Sequence, residues 1–187
     1  MDKEISSALL RILPFIVVIA IIAVRLSVKH LSPQDIALQK PVSTKRFLCW
    51  ILGFLAYVLL IECTLNHFGI LEIDKWNHPL VSSIIRITGA VILAPIAEEL
   101  IFRGIFLNAL EKLKLNKHLS IILQAVLFVL LHNFAYQNTL SSNIGVVQSF
   151  ADACLFAYAR CHTKSIYTPI VMHMTGNLIA TLERFIV

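Results

Sequence analysis

The stretch APIAEELIFRGIF, Ala94 to Phe106, sets Glu98, Glu99 and Arg103 inside an almost unbroken apolar run. A charged side chain at membrane depth costs about 2.5 to 3.5 kcal/mol on insertion scales, so such residues mark a functional site with partners on neighbouring helices. The rest of the chain is read for those partners.

The surrounding composition is that of a membrane protein. Of 187 residues, 58% are hydrophobic and 14% charged, with a mean hydropathy of +0.80. The apolar runs divide into about six spans of roughly 20 residues, the length that crosses a bilayer. They are expected near Ala8 to Val24, Phe47 to Leu65, Leu80 to beyond Arg103, Leu119 to Tyr136, Ile144 to Ala159 and Ile166 to Phe185. The fold class is therefore all-α, a polytopic membrane helix bundle. Asp2 and Glu4 ahead of the first apolar core, and the lack of a small-x-small site after it, favour a retained helix over a cleaved signal. Residues 1–79 form two N-terminal transmembrane helices with a loop between them, and 80–187 a four-helix core.

The net charge of +5 comes from 16 basic and 11 acidic residues. The positives sit in short loops between apolar runs, a pattern that reports topology and argues against a nucleic-acid-binding face. The loops after the first, third and fifth spans hold nearly all of them, among them Lys29, Lys45, Lys112, Lys117, Arg160 and Lys164, against Lys75 on the other side. The positive-inside rule makes those loops cytoplasmic and puts both termini outside. Ser32 to Asp35, SPQD, has the form of a capping box opening a brief surface helix. Trp76 reads as an interfacial anchor, Glu62 as an interfacial acid, and Pro95 as the site of a kink. Cys49, Cys63, Cys154 and Cys161 form no CxxC pair and read as small core residues, while the five histidines at loops and helix ends read as solvated.

Helical rise estimates depth. Measured from the cytoplasmic ends, Glu98 lies about 18 Å in, His132 about 20 Å, His173 about 10 Å and Asn177 about 17 Å. Residues four apart share a helix face, so Arg103 pairs with Glu99 and leaves Glu98, about 100° away, for the cavity. His173 and Asn177 likewise share a face and are expected to offer a donor pair to one substrate atom. A carboxylate, an opposing histidine and a His/Asn pair are the parts needed to hydrolyse an amide with activated water. Asp152, in the fifth span, is expected to cap or pair with a neighbour.

These residues resemble the CAAX protease and bacteriocin-processing family of intramembrane endopeptidases, also called Abi. Its EExxxR matches Glu98, Glu99 and Arg103, its FxxxH matches Phe128 and His132, and its HxxxN matches His173 and Asn177. The resemblance runs from Leu80 to Phe185 and implies that Glu98, His132, His173 and Asn177 are catalytic, with Glu99 and Arg103 supporting them. It implies a peptide or protein substrate at the membrane, and the plasma membrane of a prokaryote as the setting. Zn²⁺ on Glu98, His132 and His173 is the alternative to a metal-independent glutamate mechanism, which is favoured because no HExxH is present. A non-catalytic bacteriocin immunity protein and a proton-coupled transporter are the rival readings. Neither inverted repeats nor broken helices speak for transport.

Overall fold

The computed structural model describes residues 2–70, 73–132 and 138–186. Among them the chain forms six helices and no strand: α1 Lys3–Ser27, α2 Thr44–His67, α3 Leu80–Lys112, α4 Lys117–His132, α5 Leu140–Thr163 and α6 Tyr167–Ile186. Asp2 caps α1 and Ser43 caps α2, each accepting a backbone N–H of the first turn with its side-chain oxygen. The expected continuation of α4 to Tyr136 lies outside the described residues, and α5 begins earlier than its apolar run because Thr139 caps it through Ser142 N.

Helices α1, α2 and α3 are long and apolar enough to cross a membrane, and α4 is a shorter apolar helix. Helices α5 and α6 have the length but not the hydropathy, since Gln148, Asp152, His173 and Asn177 interrupt them. The outer faces are apolar: Leu10 on α1 is 68% exposed and Leu60 on α2 67%. In water such faces would be a liability, whereas acyl chains solvate them. The chain is an integral membrane protein. Cys49 and Cys63 sit on this exposed surface of α2, outside the core in which the sequence reading put them.

Side-chain and backbone bonds define two ends of the bundle. At one, Glu4 of α1 meets His78 ahead of α3, and Trp76 N donates to Arg184 O at the close of α6. At the other, Lys112 Nζ lies 2.7 Å from Asp35 Oδ1 and Arg160 Nη1 2.7 Å from Glu111 Oε1, while Ile166 N donates to Ala37 O. The Ser32 to Asp35 capping bonds form as expected, but around a single 3₁₀ turn, Gln34–Ile36. That turn is no surface helix. Ile36 is fully buried with Ile22 and Leu100, and Gly104 leaves the room for it, since a Cβ there would stand 3.1 Å from Ile36 Cβ.

Helix α3 is continuous but not uniform. Gly89–Leu93 and Leu100–Phe106 are π-helical, flanking an α segment, Ala94–Glu99. Pro95 has no N–H to give, and the backbone ahead of it widens: Ala94 N donates to Gly89 O, five residues back. The next donor in that pattern would be residue 95. Ala90 O is therefore left without a backbone partner, and the expected kink takes the form of a π turn.

Candidate active site

The consecutive glutamates of α3 point in different directions, as the 100° step per residue requires. Glu99 and Arg103 are wholly buried, with Arg103 Nη1 2.9 Å from Glu99 Oε1. Arg103 Nη2 donates to Ala153 O of α5 at 3.1 Å, and the guanidinium stacks 4.6 Å above Phe128 and 5.2 Å from Phe156. An arginine at this depth thus has a carboxylate, a carbonyl and two aromatic faces as partners.

Glu98 faces a cavity of about 390 Å³ enclosed by α2, α3, α4, α5 and α6. His132 Nε2 lies 3.4 Å from Glu98 Oε2 and His173 Nε2 lies 3.7 Å from the same oxygen. Asn177 lines the cavity too. The four residues singled out in the sequence therefore border one space.

Each imidazole is held through its far nitrogen. His132 Nδ1 is 2.6 Å from Phe128 O, and since a carbonyl only accepts, Nδ1 carries the proton. His173 Nδ1 is 2.9 Å from Glu99 Oε1, a carboxylate paired with Arg103, so the same holds there. In the neutral rings both Nε2 atoms are left as lone pairs aimed at a carboxylate oxygen. Lone pairs that each face one carboxylate oxygen require a donor or a cation between them. Phe128 stacks on His132 with ring centroids 4.1 Å apart, and Phe156 on His173 at 5.1 Å, which fixes the planes of both rings.

The expected donor pair from His173 and Asn177 is not assembled. His173 spends its N–H on Glu99, and Asn177 Nδ2 donates to Ala90 O at 2.8 Å. Asn177 takes the place of the N–H that Pro95 lacks. Glu62, expected at the interface, lines the cavity near the end of α2 and accepts from Gln148 Nε2 at 3.0 Å. Asp152 also lines it and pairs with Tyr57, as a residue expected to engage a neighbour should, while its Oδ1 stays buried with no hydrogen bond among the described residues. Of the histidines expected to be solvated, His78 meets Glu4, His118 meets Tyr158 and His162 accepts from Trp50 Nε1. Helix α2, placed outside the core by the sequence, contributes Phe54, Val58 and Glu62 to the cavity wall.

The sequence of α3 to α6 matches a known family. The family model described as type II CAAX prenyl endopeptidase Rce1-like matches residues 80–179. The chain belongs to this family. The match begins where α3 begins and spans the positions of Glu98, His132, His173 and Asn177, and the family is one of CAAX-protease-type peptidases. No curated protein and no solved structure matches the chain.

The same residues bear on whether a metal fits the site. Glu98, His132 and His173 have the donor types Zn²⁺ takes, and both imidazoles have their second nitrogen secured. Yet among the described residues no three His, Cys, Asp or Glu side chains converge to metal-binding geometry.

Proposed function

We propose that the protein is an intramembrane endopeptidase that cleaves a peptide bond of a membrane-associated substrate with a water activated by Glu98. The supporting observation is the convergence of Glu98 Oε2 with two imidazole nitrogens, at 3.4 and 3.7 Å. Those separations exceed good hydrogen bonds and suit a bridging water, which donates to two of the three acceptors and keeps its oxygen for attack.

In this reading Glu98 takes a proton from the water as it attacks the carbonyl carbon, and His132 orients the same water. His173 enters as the imidazolium, so the water donates to Glu98 and His132 alone. Glu99 stabilises that charge through Nδ1, and Nε2–H then donates to the developing oxyanion and afterwards protonates the leaving amine. Asn177 holds Ala90 O with one N–H of its amide and adds a second donor with the other. Residues 80–187 form the catalytic core, and α2 closes one wall of it.

The charge bias of the loops supports an orientation in which the end carrying Lys112, Arg160 and Lys164 is cytoplasmic and both termini lie outside, in a prokaryotic plasma membrane. Glu62, Gly145 and Ala180 line the cavity near the helix ends on the terminal side. In that orientation the substrate enters from outside or from the outer leaflet, as a leader or pheromone-like peptide does.

The test is cleavage of a quenched fluorescent membrane peptide by purified protein in liposomes. Glu98→Ala and His132→Ala are expected to abolish cleavage while expression and thermal stability stay near wild type. Full activity in Glu98→Ala would sink the mechanism.

A further inference from the structure

A second cavity, of about 790 Å³, lies on the other side of Asn177, between the first turns of α1, the start of α3 and the end of α6. Asn177 lines both cavities, and Ala90, whose carbonyl it holds, lines the second. One side-chain hydrogen bond, 2.8 Å long, is thus part of the wall between them.

The walls of this cavity are cationic. Arg11, Arg86 and Arg184 border it, with Glu4 the one carboxylate that does. Glu4 Oε2 is already shared, 3.3 Å from Arg86 Nη2 and 3.3 Å from His78 Nδ1. Arg184 uses Nε on Asp74 O and lies over the Trp76 ring at 5.0 Å, and its two terminal nitrogens have no hydrogen bond among the described residues. Arg11 has no ion pair or hydrogen bond among them either, although it sits eight residues into α1, about 12 Å from the helix start. Arg11 is exposed on α1, and a guanidinium at that depth is costly unless it snorkels to the interface or an anion meets it. Planar forks favour a carboxylate or phosphate held through two N–H groups.

We propose that this cavity is a subsite for a carboxylate of the peptide substrate, gripped by Arg11 and Arg184 next to the Glu98 cavity. The proposal rests on the endopeptidase reading of that neighbouring cavity. A peptide extended across Glu98 and past Asn177 brings its next residues into the arginine-lined space. A carboxylate there gains two charge-assisted contacts, and a neutral residue leaves two cations unpaired, which makes the cavity a specificity filter.

Trp76 borders this cavity, and replacing Trp50, the other tryptophan of the chain, by Phe makes it the sole fluorophore. Binding is measured on the Glu98→Gln form in phosphatidylcholine nanodiscs. The probe is an N-acetylated apolar hexapeptide in three forms: free acid, C-terminal amide, and amide with one internal Glu. We expect saturable Trp76 quenching with at least one carboxylate-bearing form at a Kd at least tenfold below that of the neutral amide. Which form binds tells a terminal from a side-chain carboxylate. Arg11→Gln should remove the difference between acid and amide, and Arg11→Lys should restore part of it. The proposal is overturned if no acid form saturates, if the amide binds equally well, or if Arg11→Gln leaves the preference intact. It is also overturned if phosphatidylglycerol alone produces the change and the peptide acid does not compete, since the cavity is then a lipid headgroup site. Charge-selective binding without cleavage by the Glu98-bearing protein would leave the subsite standing and remove the endopeptidase reading.

Discussion

Glu99 Oε1 stands 2.9 Å from Arg103 Nη1 and 2.9 Å from His173 Nδ1, so a single oxygen ties the buried cation of α3 to the imidazole of α6. Glu99 Oε2 has no hydrogen-bond partner among the described residues, which puts the whole of this coupling on one atom. The pair that looked complete within α3 is one link of a longer chain, Arg103–Glu99–His173–Glu98.

Glu99→Gln keeps the shape of that link and removes its charge. His173 then lacks a carboxylate to hold its tautomer and to stabilise its imidazolium. We expect kcat to fall at least about 100-fold, the scale seen when a residue orienting a catalytic histidine is altered. KM should move much less, since Glu99 is buried and away from the cavity. The measurement is a kcat and KM comparison on the liposome substrate, and an unchanged kcat would remove Glu99 from the mechanism.

Arg103 tests stability instead. Removing it leaves Glu99 as an uncompensated buried charge, a loss of about 3 to 5 kcal/mol where such pairs are broken from one side. Arg103→Met should lower the midpoint of unfolding in mixed micelles sharply. The double variant Arg103→Met with Glu99→Met should recover much of that stability without recovering activity. Arg103→Lys should fall short of wild type, because a single ammonium cannot serve Glu99 Oε1 and Ala153 O while stacking on Phe128. Equal stability of Arg103→Met and wild type would contradict this account.

What could be read from the chain follows from cost and period. Glu98, Glu99 and Arg103 stand out because charge in an apolar run is expensive, and the 100° step per residue already separates cavity-facing Glu98 from braced Glu99. His132 and His173 could be put near Glu98 because helical rise is regular. The bond from Glu99 to His173 was not legible, since an i, i+4 partner in the same helix accounts for the carboxylate without calling on a residue 74 positions away. Glu62 read as interfacial because it lies close to a helix end, and its place on the cavity depends on how α2 packs against α5 and α6. Asn177 was the most misleading. Its sequence spacing pairs it with His173, but its hydrogen bond is decided by a π turn that Pro95 imposes on another helix.

That dependence is itself testable. Pro95→Ala restores a backbone N–H at the position where the π pattern needs one, so Ala90 O no longer relies on Asn177. Asn177→Ala alone should destabilise the protein by about 0.5 to 1.5 kcal/mol, the net contribution of one hydrogen bond on the cavity wall. The same substitution in a Pro95→Ala background should cost less, and the difference in a double-mutant cycle reports the coupling. Additive effects of the two substitutions would show that Asn177 does not stand in for the missing donor.

At the opposite end of the bundle, Asp35 makes a pH prediction. Its hydrogen bond with Lys112, seconded by those with Ser32, lowers its pKa from the usual 3.8 to about 2. A carboxyl depressed on folding contributes stability that is fully present above the ordinary value and is lost as pH falls through about 2. The tether between the Gln34–Ile36 turn and α3 should therefore hold at neutral pH and weaken between about pH 4 and 2. In melts across that range Asp35→Asn should lie below wild type at pH 5 and converge with it as the pH drops. A gap that stays constant would mean that the carboxylate does not carry the tether.

The metal question closes on stoichiometry. The two Nε2 atoms stand at 3.4 and 3.7 Å from Glu98 Oε2, and among the described residues no trio closes to metal-ligand geometry. A bridging water suits this spacing and so does Zn²⁺, whose ligands at about 2.0 to 2.2 Å stand roughly 3.3 to 3.6 Å from one another, so the bound metal decides. Under the glutamate mechanism, prolonged dialysis against EDTA and phenanthroline should leave kcat within about twofold of the untreated enzyme, well short of the tenfold that 1.4 kcal/mol would represent. Elemental analysis of the active fraction should find zinc far below one atom per chain. Loss of activity that zinc alone restores, together with one bound atom per chain, would instead assign Glu98, His132 and His173 as ligands and leave the role of base to another carboxylate on the cavity wall. Asp152 and Glu62 are the two that line it, and Asp152→Asn and Glu62→Gln would then decide between them.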